Sequence, residues 1–337
     1  MADVGPEGED QGGGGKYLLL PPGYEEAVPA GYFPVQFKTY NGYSILCAIP
    51  ATSSAEDVAK ALDLVKKTRV YPLAQAGNPP PQRHIDMAGK LFDGIAAFDD
   101  RFYDSPAAIV NEEPVQPRDL AVVGQLRSPG IEKSKPFNPD AATREILRKA
   151  IAEAQAGFMQ FMMALPSFAP GSHWTLPGTP VGPETAFVFE RANRLEIDER
   201  GALFFFGCAP PKKLGAATFY LLSSKDANAA PLQGGKIYRL RVPPNVPAKQ
   251  FWAVTVYDLE RAAFIRDAPC VELNSYHQMQ KNADGSVDVF FGPSAPAGKE
   301  ANWVYTAPGK RWVSLFRFYG PERAVFEKTW VLPTSRR

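Results

Sequence analysis

Cysteine and histidine are scarce in this 337-residue chain, at three residues each. Cys47, Cys208 and Cys270 form no C-x-x-C pair, and their number is odd. That argues against a disulfide framework and leaves buried free thiols as the expectation. His84, His173 and His277 stand far apart, and H-x-H, H-E-x-x-H and H-x-x-E-H are missing. No ready-made metal site is therefore expected. Charge of one sign is lacking too: 37 Lys plus Arg against 36 Asp plus Glu leave a net +1. Such a balance argues against a general grip on nucleic acid or an anionic membrane. No apolar run reaches the ~18 residues of a membrane span. The first residues lack the charged start and apolar stretch of an export signal.

The familiar nucleotide and hydrolase motifs are missing as well. There is no G-x-S-x-G elbow and no G-x-G-x-x-G after a strand, so neither an α/β-hydrolase triad nor a dinucleotide fold is supported. Gly12–Lys16 is not a P-loop, because Tyr17 stands where a magnesium-binding hydroxyl belongs. The 282–286 turn is not a calcium loop, since Gln280 and Phe291 occupy its first and twelfth ligand positions. No cofactor is called for.

What is present is turn chemistry and apolar periodicity. Proline (33) and glycine (28) are abundant, and 45% of residues are hydrophobic against 22% charged. That composition fits a globular chain with many turns and short strands. Residues 1–15 read as a flexible, linker-like segment. Residues 17–50 read as short strands, with Asn41-Gly42 as a hairpin turn between Phe33–Tyr40 and Tyr43–Ile49. Ser54 and Asp57 make a capping box for a helix carrying Val58, Ala61, Leu62 and Val65. Further helices are expected over Pro81–Ile95, Ser105–Glu112, Pro117–Leu126 and Pro139–Ala164, the last with Asn138 as its cap. Glu112-Glu113 reads as a solvated face.

Beyond about residue 165 the period changes to that of strands. They are expected at Phe187–Phe189, Leu203–Gly207, Thr218–Leu222, Ile237–Val242, Phe251–Tyr257, Val287–Phe291, Trp303–Thr306, Trp312–Phe318 and Thr329–Leu332. The whole is an α+β, β-rich chain. A helix-containing first domain (16–165) precedes a jelly-roll-like β-sandwich (166–337).

Three segments carry a resemblance. They are Gly14–Tyr24, Arg69–Ala74, and a tail running from Lys281 through Asn302-Trp303 and Arg317–Pro321 to Lys328–Trp330. Together they resemble bacterial two-part proteins built of the domains of unknown function 1254 and 1214. The resemblance implies a β-rich first domain with inserted helices and a jelly-roll-like second one. It implies no established reaction, substrate or catalytic residue. Members usually carry more chain before the Gly-Gly-Lys-Tyr segment, often with an export signal. This chain therefore reads as having a short, partial first domain, and its compartment is left open.

The candidate ligand-binding residues are His173, Trp174, Tyr257, Asp258, Glu300, Asn302, Trp303 and Arg317. His173-Trp174 sits in a Pro/Gly-rich crossing, and the others lie near strand ends. Trp and Tyr beside Asp, Asn and Arg suit sugars and other polar rings, and strand-end side chains of a sandwich can line a shallow groove. The expected function is binding of a small polar ligand or polysaccharide. One alternative is a hydrolase or lyase using carboxylate, Tyr and Arg groups. Another is a subunit, homo-oligomeric or completed by a partner chain.

Overall fold

The computed structural model describes every residue except 1–3, 6–7, 88, 91–93, 177–188 and 208–217. The chain divides into two units: Met1–Phe92 with Ala96–Gln155, and Asp93–Ile95 with Ala156–Arg337.

In the first unit, β1 (Tyr17–Leu20) and β2 (Phe33–Gln36) pair in parallel. Their Tyr17 and Phe33 rings lie 5.2 Å apart. Ser54 starts α1 (Ala55–Lys67) as its sequence predicts, its hydroxyl accepting the Asp57 N–H at 3.2 Å. Glu56 and Asp57 in the first turn and Lys66 and Lys67 in the last complement the helix dipole. Next come α2 (Asp104–Glu112) and α3 (Leu120–Gln125). Ala107, Val110 and Ile131 form a small core with Tyr103, Val123, Leu126 and Phe137 around it. The longest helix among the described residues, α4, runs Ala141–Met163, its residues from Ala156 on belonging to the second unit. Its N-terminal hydrogen bond comes from Asp140, which accepts the Thr143 N–H at 2.7 Å, rather than from Asn138.

Four expectations fail here. No strand follows Asn41-Gly42. The Asn41 N–H and Nδ2 both donate to Glu113, each at 2.8 Å, and the Tyr40 N–H donates to the same carboxylate at 2.6 Å. Those donors are therefore committed to a carboxylate, not to a hairpin ladder. Glu113, read as solvated, is buried for the same reason. None of the described residues over 81–95 is helical, whereas Ala88, Leu91 and Phe92 lie outside the described residues. Cys47 is exposed rather than buried.

In the second unit, α5 spans Ile197–Gly207, where the run Leu203–Gly207 reads as a strand. A short apolar run does not by itself distinguish a strand from a buried helix. The strands that follow are β3 (Thr218–Ser223), β4 (Tyr238–Val242), β5 (Ala248–Asp258) and β6 (Glu272–Asn274). Then come β7 (Val287–Gly292), β8 (Trp303–Tyr305) and β9 (Trp312–Pro321), and the short α6 (Arg323–Phe326). Thr329–Leu332 is not a strand. Phe187 and Cys208 lie outside the described residues.

Two sheets result. One has the order β3-β9-β5-β6, antiparallel throughout; the other has the order β4-β7-β8, with β7 and β8 parallel. One core holds residues of both, including Phe219, Val254, Phe316 and Phe318 from the first and Leu240, Val289, Phe291 and Val304 from the second. Each fully buried Phe contributes about 1.5–3 kcal/mol. The described strands form open sheets of four and three. A β-rich second unit after a helix-bearing first one is thus present. All five tryptophans belong to this second unit.

The open edges are tied off locally. Thr175 exchanges two backbone hydrogen bonds with Leu222 of β3, and Arg336 does the same with Arg239 of β4. The Tyr305 N–H of β8 donates to the Cys270 carbonyl just before β6. Among the described residues, no helix is long and apolar enough to cross a membrane.

Candidate functional site

Strand β9 sorts its side chains by parity. Trp312, Phe316 and Phe318 point into the shared core, so Val313, Leu315, Arg317 and Tyr319 face outward. At one end of that outer face Val313, Leu315 and Leu222 are covered by Met159, with Phe158, Phe205, Phe206 and Tyr257 around them. Farther along β9 the sheet carries aromatic and polar groups.

Four rings cross the strands there. Tyr276 stands 5.1 Å from Phe251, Phe251 stacks on Tyr319 at 4.0 Å, and Tyr319 lies 6.4 Å from Tyr220. The register dictates this, since Phe251 and Tyr319 are cross-strand partners. Arg317 stands two residues before Tyr319, level with Tyr220 on one side and the small Ala253 on the other. Its guanidinium lies over the Tyr220 ring at 5.5 Å and the Tyr257 ring at 5.6 Å. Nη2 donates to the Tyr257 hydroxyl. Nη1 sits 3.8 Å from Glu272 Oε2. Nε is buried with no hydrogen-bond partner among the described residues.

Glu272 is held on both oxygens. The Thr255 hydroxyl donates to Oε2 at 2.8 Å and Asn274 Nδ2 to Oε1 at 3.1 Å. Burial, helped by Tyr220, pushes the Tyr319 hydroxyl up to about 12. Tyr319 therefore stays a neutral donor at ordinary pH. The cluster joins one cation, one carboxylate, several hydroxyls and five rings on one face of the sheet.

Of the eight residues expected at a site, the structure brings Tyr257 and Arg317 together. Asp258 instead closes a turn, its Oδ1 accepting the Glu260 N–H at 2.9 Å and the Arg261 N–H at 3.3 Å. Glu300 is exposed and accepts the Gly298 N–H at 3.0 Å. Asn302 is buried, accepting the Gln280 N–H and donating to the Gln280 and Asp288 carbonyls. Trp303 Nε1 donates to the Gly292 carbonyl at 2.9 Å.

His173 and Trp174 hold the C-terminal segment. The His173 N–H donates to Thr334 Oγ1 at 2.7 Å, and Trp174 Nε1 to the Pro333 carbonyl at 2.9 Å. His173 Nδ1 lies 2.7 Å from the Asp226 carbonyl. These groups do not line one shared groove: each has its own partners, and the space between the sheets is packed. A cavity of about 10 Å³ near Trp174, Phe318 and Trp330 has room for little more than one water. An open recess of about 400 Å³ is lined by Ala227, Asn228, Arg336 and Arg337, none of them an expected site residue.

Sequence reasoning missed Phe251, Thr255, Glu272, Asn274, Tyr276, Tyr220 and Tyr319. A two-residue step from Arg317 reaches Tyr319, which was the available signal. The three-residue β6 left none.

The sequence comparisons bear on the two halves of this architecture. Residues 217–323 match the model described as "Protein of unknown function (DUF1214)", and residues 2–72 match "Protein of unknown function (DUF1254)". The chain matches both families. The DUF1214 match contains every strand from β3 to β9 and hence the Arg317 cluster; the DUF1254 match contains β1, β2 and α1. Comparison with curated proteins finds no match. Among solved structures the chain is similar to the VPA0106 protein from Vibrio parahaemolyticus at 16% identity and a TM-score of 0.47, over 97% of this chain and 76% of that one. It is also similar to an uncharacterized protein from Burkholderia cenocepacia at 18% identity and a TM-score of 0.30, over 60% of this chain and 46% of that one.

Proposed function

We propose that the outer face of the β3-β9-β5-β6 sheet binds a polar ring compound of carbohydrate type, on a jelly-roll-like sandwich. The observation that carries this reading is Arg317, incompletely hydrogen-bonded, set beside the Tyr276–Phe251–Tyr319–Tyr220 ladder and Glu272. Stacked rings spend their faces on one another and present their positive edges and hydroxyls outward. Edges and hydroxyls of that kind, with a guanidinium and a carboxylate, match the alternating donors and acceptors of a polyol ring. A thermal-shift panel of mono- and oligosaccharides tests it. A sugar that raises the melting temperature of the wild type must lose that effect in Arg317→Ala and Tyr319→Ala and keep it in Tyr305→Phe, on the other sheet. If no sugar stabilises the protein, or the shift survives both variants, the reading fails.

The Arg317–Tyr257 contact favours a second reading, in which Tyr257 exchanges a proton with a bound ligand in a lyase or hydrolase reaction. Turnover of a stabilising sugar that is abolished in Tyr257→Phe, with binding retained, supports it. Binding without turnover rejects it.

A further inference from the structure

Between Leu20 and Ala107 not one described residue is buried. Helix α1 lies in the middle of that stretch. Its apolar residues Val58, Ala61, Leu62 and Val65 recur at helical spacing on one face, yet Val58 is 41% and Leu62 49% exposed. A stripe of that kind is the surface that a second helix covers.

The helix sequence is also near-symmetric about the peptide bond joining Ala61 and Leu62. Counting outward from that bond, Ala61 stands opposite Leu62, Val58 opposite Val65, Asp57 opposite Lys66 and Glu56 opposite Lys67. Laid antiparallel on its own copy, α1 sets its apolar residues level with apolar residues. Its acidic first turn lies beside the other copy's basic last turn, and the two helix dipoles oppose. A parallel pairing would instead bring like ends together. We infer that the occupant of this face is a second copy of the same chain, and that α1 packs antiparallel on α1 across a two-fold axis. Tyr43, Ile45 and Leu46 in the preceding segment are exposed as well.

Sedimentation velocity of the full chain over a concentration series, with circular dichroism as the folding control, tests this. The wild type is expected to dimerise and Leu62→Glu to stay monomeric with unchanged helix content. Two charge-reversal variants give an independent test of the orientation. Lys66→Glu/Lys67→Glu makes both ends of α1 acidic, and Glu56→Lys/Asp57→Lys makes both ends basic. Each alone is expected to dissociate at concentrations where the wild type is dimeric, and an equimolar mixture of the two is expected to re-form dimers. A wild type monomeric at every concentration overturns the inference. So does a dimer indifferent to Leu62→Glu, or a mixture no more associated than its components.

Discussion

Asn302 shows how a polar residue with a site-like signature becomes a structural one. Its side chain spends one acceptor and two donors on Gln280 and Asp288, holding the segment before β7 to the start of β8. Replacement by Ala leaves those buried groups unmatched and is expected to cost about 2–4 kcal/mol in urea unfolding. A loss below ~0.5 kcal/mol would mean that the three bonds are dispensable. Glu113 acts similarly in the first unit. Burial works to raise its pKa, but the Asn41 and Tyr40 N–H groups and Lys133 outweigh it and hold the carboxyl below 4.5. A folded pKa below the unfolded one makes the contribution full at neutral pH and lost on acidification, as pH falls below 4.5 through the lower folded value. Glu113→Gln should therefore flatten the acid side of the stability–pH curve, and an unchanged slope would refute the assignment. Of the residues the sequence singles out, Arg317 and Tyr257 are the two that meet. The sequence could not separate them from Asn302, Asp258 or Trp303, because residue type reports what a side chain can bond and not which partner reaches it first.

Elements were legible where one physical rule acted alone. Strands β3, β4, β5, β7 and β9 are evident because their alternation is set by a single shared core, and α1 because its cap, dipole charges and period agree. The strand expected at Leu203–Gly207 and the helix expected over 81–95 differ from the structure for different reasons. The first is part of a helix whose apolar run mimics a strand; the second has helical spacing, yet none of its described residues is helical or buried. For α1, lacking buried residues, the cap matters more than usual. Ser54→Ala is expected to destabilise it by about 1 kcal/mol. That should speed hydrogen exchange in α1 and leave β9 unchanged; equal effects on both would contradict the account. The loop before β4 offers a sharper contrast. A Cβ on Gly234 would lie 1.9 Å from the Ala307 carbonyl oxygen, whereas one on Gly235 meets nothing nearer than 3.9 Å. Gly234→Ala should lower the melting temperature markedly and Gly235→Ala hardly at all.

On the scale of the whole molecule, the sheet unit closes its edges with its own chain. The segment after Leu332 is tied down by Ser172, His173 and Trp174 and bridges to β4 at Arg239. An uncovered strand edge invites pairing with other chains. Truncation after Leu332 is therefore expected to lower stability and produce soluble aggregates in size-exclusion chromatography. A monodisperse truncated protein of unchanged stability would show the clamp to be idle.

The placement of every indole in the 156–337 unit gives the protein a built-in optical separation. Emission excited selectively through tryptophan monitors the sheets, while far-ultraviolet ellipticity is weighted toward the helices of both units. Followed together during heating, the two signals superimpose if the units melt as one cooperative block and part company if 1–155 comes undone first, with no label attached to either.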